Sequence, residues 1–214
     1  MQIFFQTVSG INLGFNLPYT QFALGNIAKQ QHAVERTREL FAKSLGYVKP
    51  ESQGDYAIAQ HFLSESTPDG TPYCVFLHAT TRDDKHWPES HWRELIGLLQ
   101  ESGLRIKLPW GAPHEEARAQ RLAQGFDYVD VLPRLSLEKI AHVLAEAKFV
   151  VSVDTGLSHL TAALDRPNIT LYGPTDPGLI GGYGKNQVAC CSESKDLSDL
   201  NAPVVIRELH KIMH

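Results

Sequence analysis

The sequence has no long hydrophobic run, few cysteines and no excess of basic residues, and each shortage excludes a class of protein. No apolar run approaches the roughly 18 to 20 residues of a membrane-spanning helix. The net charge is −4 and the pI about 6.2, whereas a nucleic-acid-binding surface needs clustered lysine and arginine. Cys74, Cys190 and Cys191 lack CxxC or Cys/His spacing, which argues against disulfides and zinc. We expect a cytoplasmic chain that binds small molecules and no nucleic acid.

The first 27 residues lack the features of a secretory signal. They are apolar and aromatic, but they have no basic start, and Gly10, Gly14 and Pro18 interrupt them. A signal peptide needs a charged start, an unbroken apolar centre and a cleavage site. With 43% hydrophobic residues, the chain can bury one core and carry an appendage. We expect an extension over residues 1–27, a helical connector over 28–72 and one α/β domain over 73–214.

Residues 28–45 form the first predicted helix. Val34, Leu40, Phe41 and Leu45 fall close to helical spacing, which predicts one buried face. Gly46 is a plausible C-terminal stop for this helix.

From residue 73 onwards, strand-like and helical patterns alternate. The predicted strands are residues 73–79, 104–108, 128–132, 149–153 and 168–172. The predicted helices are residues 88–101, 113–123, 137–147 and 157–165, and a further helix closes the segment 196–213. Pro88 and Pro113 suit first-turn positions, and Ser136 suits an N-cap. The alternation predicts a Rossmann-like α/β domain, in which a parallel sheet carries helices on both faces.

Ligands of such sheets bind beyond the carboxyl ends of the strands. Five short segments follow the predicted strands: residues 78–81, 109–112, 133–136, 154–156 and 173–176. The central one, Asp154-Thr155-Gly156, joins a buried strand to a helix, and we expect its glycine to permit a tight turn. The free N–H groups and positive end of that helix favour a phosphate or another anion. No GxGxxG motif follows the first strand, which disfavours a nicotinamide cofactor.

Three long segments contain most of these polar residues. They are HATTRDDKHWP (residues 78–88), PWGAPHEE (109–116) and VDTGLSHLTAALDRPNITLYGPTDPGLIGGYG (153–184). Together they resemble the ADP-heptose:lipopolysaccharide heptosyltransferases, in particular the heptosyltransferase I group, over about residues 28–184. Members of this family are metal-independent, inverting glycosyltransferases of the two-domain GT-B fold. The resemblance implies the donor-binding half of an enzyme that transfers L-glycero-D-manno-heptose from ADP-heptose to the Kdo of Kdo2-lipid A.

The resemblance also implies roles for nine residues, with no cofactor and no metal. The diphosphate of ADP-heptose is expected to contact Thr80, Thr81, Lys85, Thr155, Gly156 and His159. Glu115 is expected to hold the adenosine ribose, Leu135 to lie near the adenine and Asp154 to bind the heptose. These residue types suit the roles, because lysine and N–H groups bind phosphate and carboxylates accept hydrogen bonds from sugar hydroxyls.

The chain departs from the family at its beginning. In the family, an N-terminal domain binds the lipid acceptor, at the cytoplasmic face of the inner membrane, and supplies a catalytic aspartate. Residues 1–27 are too few for a domain of about 100 residues. We therefore expect a truncated or rearranged chain that contains no catalytic base and transfers no heptose alone. The alternatives are a non-catalytic ADP- or nucleotide-sugar-binding module and a donor half that works with a separate acceptor half.

Other interpretations of the same residues stay open at this point. Aspartic proteases also use an Asp-Thr-Gly turn, but they need two such carboxylates, and the motif occurs once here. His78, Asp83, Asp84 and His86 are residue types that bind metal ions.

Single residues also have simpler explanations. Lys85 fits a solvated loop, His159 fits a core histidine, and Glu115 fits a helix first turn, where it complements the helix dipole. Asn168-Ile169-Thr170 matches a glycosylation sequon, but it lies in a predicted buried strand, so we attribute the match to chance.

Overall fold

The computed structural model describes residues 27–63 and 70–212. Predictions for residues 1–26 and 64–69 lie outside the described residues. The chain divides into two units, of which one comprises residues up to 53 together with 178–180, and the other comprises residues 54–177 together with those from 181 onwards. Over the described ranges, no helix has the length and apolar character that crossing a membrane requires.

The larger unit is built on a six-stranded sheet. Its strands are β1 (Tyr73–Leu77), β2 (Arg105–Leu108), β3 (Val129–Val131), β4 (Val150–Val153), β5 (Asn168–Tyr172) and β6 (Gln187–Cys191). All neighbours pair in parallel, in the order β3-β2-β1-β4-β5-β6. This is the strand order of dinucleotide-binding Rossmann sheets, whose switch point lies between β1 and β4. The Rossmann-like α/β fold predicted from the sequence is confirmed.

The edge strand β6 was not predicted. It pairs with β5 over five residues, from Asn168↔Gln187 to Tyr172↔Cys191. Only Cys190 of this strand is buried, because an edge strand has a neighbour on one side alone. Its sequence, QVACC, contains neither a run of large apolar side chains nor an alternation of apolar and polar residues.

Helices cover both faces of the sheet, as predicted. Over residues 27–63 and 70–212, the α-helices are α1 (Ala33–Leu45), α2 (Glu89–Leu98), α3 (Pro113–Ala123), α4 (Leu137–Ala145), α5 (Gly156–Ala163), α6 (Pro177–Ile180) and α7 (Ala202–Ile212). Cys74 and Phe76 of β1 pack into one core cluster with residues of α2, α3 and α7. Val75 and Leu77 point to the other face and pack with residues of α4. The two clusters follow from the alternation of side chains along a strand.

The helix starts agree with the sequence in two cases of three. Pro113 is the first residue of α3, and the Ser136 hydroxyl accepts a hydrogen bond from the Lys139 N–H (3.3 Å) before α4. Pro88 instead precedes α2, which begins at Glu89, so its predicted first-turn position is wrong by one residue.

In the smaller unit, α1 ends as predicted but buries a different face. Gly46 adopts a left-handed conformation (φ 72°) and ends the helix. Phe41 and Leu45, predicted to be buried, are 48% and 69% exposed, and Ala42 is the buried residue of the helix. Polar contacts explain the difference in the buried face, because the segment after the helix folds against Arg38. The Arg38 guanidinium donates to the carbonyls of Pro50 (3.2 Å) and Ser52 (2.7 Å).

Candidate functional site

The polar centre of the larger unit lies at the carboxyl ends of β1, β4 and β5. Asp154 follows β4 directly, and its side chain is 8% exposed. Its Oδ2 accepts a hydrogen bond from Lys85 Nζ (2.6 Å) and another from Thr175 Oγ1 (2.7 Å). The three residues come from three neighbouring strand ends, and we call them the Asp154 cluster. The expectation that strand ends converge is met for the segments 154–156 and 173–176, and Lys85 lies in the loop that follows the segment 78–81.

The loop that carries Lys85 is anchored in the core. Asp83–Lys85 form a single 3-10 turn, and the Lys85 side chain is 15% exposed. Two residues later, Trp87 is fully buried and donates from Nε1 to the Leu200 carbonyl (2.6 Å). The Trp87 carbonyl accepts from Arg118 Nη2 (2.5 Å). The anchored loop thus holds the Lys85 cation across the switch point between β1 and β4.

Three other residues of the predicted diphosphate site, Thr80, Thr81 and His159, differ in their exposure and in their contact with Asp154. Thr80 is buried, and its hydroxyl donates to the Asp154 carbonyl (3.2 Å). Thr81 is exposed. The His159 side chain is 47% exposed, and its Nε2 lies 4.0 Å from Asp154 Oδ1, which is longer than a hydrogen bond. His159 is therefore not the core histidine that was considered as an alternative.

The helix α5 starts directly behind Asp154. Thr155 is its extended N-cap residue, and its carbonyl accepts from the Ser158 N–H (3.0 Å) and the Ser158 hydroxyl (2.7 Å). Gly156 is the first helical residue, and it is absent from the glycines with positive φ. The expectation that this glycine permits a tight turn is therefore wrong. A Cβ added at Gly156 would meet no atom within 4 Å, so the glycine leaves the helix end open.

Glu115 is fixed within its own loop. Its Oε2 accepts from the N–H groups of Gly111 (2.7 Å) and Ala112 (3.0 Å), which precede α3. This is the helix-start role that the sequence left open beside ribose binding. Both of these hydrogen bonds use the same carboxylate oxygen, Oε2. Leu135 is half-buried before α4 and packs against the core cluster of that face.

The residues considered for a metal site have other environments. Among the described residues, no group of three or more His, Cys, Asp or Glu side chains is arranged to hold a metal ion. Asp84 forms an ion pair with Arg82 (Nε to Oδ1, 2.9 Å). His78 is fully buried, and within residues 27–63 and 70–212 neither ring nitrogen has a hydrogen-bond partner. Burial, and then the nearby Arg118 cation, lower the pKa of His78 to about 4.

Asn168 is fully buried, as its place in a predicted strand requires. Its amide donates to Thr170 Oγ1 (2.9 Å) and to Gln187 Oε1 (3.2 Å), and its oxygen accepts from Ser152 Oγ (3.0 Å). The sequon at this position thus lies inside the sheet.

Thr175 is the residue of the site that sequence reasoning missed. It lies in the segment 173–176, which the strand-end rule identified, but no role was assigned to it. The sequence did offer one indication, because Thr175 carries a hydroxyl and follows β5. This strand is the neighbour of β4, which Asp154 follows. Its contact with Asp154 joins residues 21 positions apart.

The family of the chain follows from a comparison with known sequences. The profile of glycosyltransferase family 9 (heptosyltransferase) matches residues 19–210. The chain belongs to this family. The resemblance noted from the motifs at the strand ends is therefore confirmed.

Individual members of the family are similar over most of this chain. Lipopolysaccharide heptosyltransferase 1 of Salmonella typhimurium is 78% identical over 185 residues, which are 86% of this chain and 58% of the relative. The enzyme of the same name from Pseudomonas aeruginosa is 55% identical over 76% of this chain and 45% of the relative. The chain thus spans less than two thirds of the length of these relatives.

A solved structure shares the fold. Heptosyltransferase WaaC of E. coli, determined with ADP, superimposes with a TM-score of 0.83 at 74% identity. The match covers 88% of this chain and 59% of that one. The glycosyltransferase family and the fold are therefore both shown for the matched part of the chain.

Proposed function

We propose that this chain forms the donor-binding part of a lipopolysaccharide heptosyltransferase I. The full reaction would transfer L-glycero-D-manno-heptose from ADP-heptose to the Kdo of Kdo2-lipid A in the cytoplasm, at the inner membrane. The observation that carries the proposal is the Asp154 cluster beside the start of α5. A partly buried cation on an anchored loop and the N–H groups of a helix start are two independent sources of phosphate affinity. The similarity to a heptosyltransferase determined with ADP supports the same ligand class.

Each predicted site residue has a proposed role on this donor. Around the diphosphate we place Thr80, Thr81, Lys85, Thr155, Gly156 and His159. Asp154 would accept from a heptose hydroxyl through Oδ1, because Oδ2 is already used by Lys85 and Thr175. Glu115 would accept from the ribose through Oε1, because Oε2 is used by its own loop. Leu135 would provide an apolar contact for the adenine.

The proposed chemistry is a single displacement with inversion at the anomeric carbon. The acceptor hydroxyl loses its proton to an aspartate of the acceptor-binding domain and attacks the anomeric carbon. The bond from that carbon to the β-phosphate oxygen breaks, and ADP leaves with the electron pair. Negative charge grows on the diphosphate in this step, so a fixed cation and aligned N–H groups lower the barrier without a metal ion. Lys85 has three N–H donors, of which Asp154 accepts one.

The first test is ADP binding to the full 214-residue chain by titration calorimetry. We expect the wild-type chain to bind ADP. We expect Lys85→Ala to weaken binding by about 1.5 to 3 kcal/mol, the range for hydrogen bonds to charged groups. Lys148→Ala is the matched control, because Lys148 is exposed and precedes β4. It therefore lies at the end of β4 opposite to Asp154. Equal affinities of the Lys85 and Lys148 variants would refute the role of Lys85.

The second test is transfer from radiolabelled ADP-heptose to Kdo2-lipid A. We expect turnover only when the acceptor-binding domain of a family member is supplied, and we expect added EDTA to leave that turnover intact. Transfer by the chain alone would place the catalytic base within it. Inhibition by EDTA that a divalent ion reverses would return the metal hypothesis. ADP binding without transfer under any of these conditions would favour the non-catalytic nucleotide-binding module.

A further inference from the structure

Thr175 contacts the acidic centre of the site from a strand that the family motif roles do not use. It follows β5, whose register with β4 pairs Leu171 with Val153 and brings the two carboxyl ends side by side. From there, the Thr175 hydroxyl donates to Asp154 Oδ2 at 2.7 Å. The hydrogen bond is partly buried and joins a neutral donor to a carboxylate, which makes it stronger than a bond between neutral groups.

The choice of oxygen determines what the carboxylate can do. Lys85 Nζ uses the same Oδ2, at 2.6 Å, so two donors from opposite sides of β4 hold one oxygen. His159 Nε2 is 4.0 Å from Oδ1, beyond hydrogen-bond distance. With two donors on Oδ2, rotation of the carboxylate would break both bonds. Oδ1 is then held as the oxygen available to a ligand.

The strand end that carries Thr175 is itself tightly packed. A Cβ added at Gly173 would come within 3.0 Å of the Lys195 carbonyl and 3.3 Å of Leu197 Cγ. The same Cβ would lie 3.7 Å from the carbonyl of Asp84, which is in the loop that carries Lys85. Glycine therefore lets the end of β5 approach the segment 195–197, whereas the Asp84 carbonyl lies at an ordinary contact distance. The strand end that precedes Thr175 thus lies against the segment 195–197 and beside the loop that carries Lys85.

We propose that Thr175 is a positioning residue for donor binding. Its hydroxyl fixes the Asp154 carboxylate, which in turn holds the Lys85 ammonium toward the diphosphate and keeps Oδ1 for the sugar. The inference rests on the proposed function, because it assigns the Asp154 cluster to a nucleoside diphosphate sugar. Thr175 itself acts through Asp154 and needs no contact with the ligand.

Three variants of the full chain separate positioning from simple loss of stability. Thr175→Val removes the donor and keeps the shape, whereas Thr175→Ser keeps the donor. Thr161→Val is the matched control, since Thr161 is buried in α5 and its hydroxyl donates to the Leu157 carbonyl (2.8 Å). We expect Thr175→Val to weaken ADP binding about five- to tenfold, below the direct loss of a charged hydrogen bond. We expect Thr175→Ser and Thr161→Val to stay within about twofold, because each leaves the Thr175 hydrogen bond in place.

A double-mutant cycle tests whether the effect passes through Asp154. In an Asp154→Ala background, we expect Thr175→Val to have no further effect on ADP affinity, since the acceptor is already gone. A full additional effect in that background would overturn the proposal. The Thr175→Ser result decides independently if the Asp154 variant does not fold, because failure of serine to restore affinity would also contradict a role for the hydroxyl.

A nucleotide-free measurement distinguishes this inference from the proposed function. In protein labelled with ¹⁵N-lysine, the Lys85 ammonium signal, assigned with Lys85→Arg, reports on its position. We expect Thr175→Val to shift or broaden this signal and Thr161→Val to leave it unchanged. An unchanged signal in Thr175→Val overturns the positioning role even if ADP binds. A shifted signal with no ADP binding to the wild-type chain supports positioning and refutes the proposed function.

Discussion

The ends of two neighbouring strands, β1 and β4, each bury an ionisable side chain, but they accommodate it in opposite ways. Asp154, after β4, accepts hydrogen bonds from Lys85 and Thr175. His78, after β1, is fully buried with no hydrogen-bond partner at its ring nitrogens within the described residues, and its pKa falls to about 4. One group is paired and the other is kept neutral. The comparison thus sets a charged carboxylate held by two donors against a histidine that burial keeps uncharged.

The largest loss of stability should come from removing the Asp154 carboxylate, which pairs with Lys85 at the end of β4. Asp154→Ala leaves the Lys85 cation, which is 15% exposed, without its carboxylate. We expect the free energy of unfolding in urea to fall by about 3 to 5 kcal/mol, as for buried pairs that lose one partner. The double variant Lys85→Met with Asp154→Leu should recover most of this loss, because it removes both charges. A loss below about 1 kcal/mol for Asp154→Ala would mean that the pair behaves as an exposed one.

The buried, uncharged His78 at the end of β1 should make the free energy of unfolding depend on pH. The unfolded chain protonates His78 near its usual pKa of about 6.5, whereas the folded chain does so only near 4. The contribution of the neutral His78 to the free energy of unfolding is therefore fully present above pH 6.5, and it is lost as the pH falls from 6.5 to 4. The difference of 2.5 pKa units corresponds to about 3 kcal/mol.

The comparison of the wild-type chain with His78→Leu isolates this contribution. Arg118, Glu115, His86 and Glu89 also act on His78, and they remain in the variant. We expect His78→Leu to reduce the decline of unfolding free energy between pH 6.5 and 4 by about 3 kcal/mol. His210→Gln, an exposed position on α7, should keep the wild-type decline. Identical pH profiles for His78→Leu and the wild-type chain would show that this histidine titrates alike in both states.

The smallest effect on stability should come from Gly156. An alanine there meets no atom within 4 Å and suits a helix, so the free energy of unfolding should rise by no more than about 1 kcal/mol. ADP affinity should nevertheless fall by roughly tenfold, because the new methyl group stands over the helix start that offers its N–H groups to phosphate. Gly97→Ala, in α2 and equally free of contacts, is the control for helix propensity. Unchanged ADP affinity in Gly156→Ala would move the phosphate away from this helix.

The sequence predicted the parts of the fold that depend on continuous patterns. The apolar strands β4 and β5 and the start of α3 at Pro113 agree with the structure because local residues determine them. The edge strand β6 was not predicted, since its mostly small residues form neither a run of large apolar side chains nor an alternation. The buried face of α1 was wrong because Arg38 and the carbonyls of the following segment determine which side is covered.

The residues of the candidate site also divide into those whose contacts are local in the sequence and those whose partners are distant. The strand-end position identified Asp154 and the family resemblance identified Lys85, but the two are 69 positions apart, and only the order of the strands brings them together. Thr175 was missed for the same reason. Glu115 shows the converse, because its local capping bonds could be anticipated from its place in the first turn of α3. A role that depends on a partner across the sheet cannot be derived from local spacing.

The central claim is that the strand ends around Asp154 bind a nucleoside diphosphate. The most direct measurement is a titration of the full chain with ADP, followed by ¹H–¹⁵N spectra with assigned backbone amides. The account predicts the largest shifts at Thr81, Lys85 and Gly156, with smaller ones near Glu115. Shifts confined to the opposite ends of the strands, around Lys148 and Asn168, would contradict it.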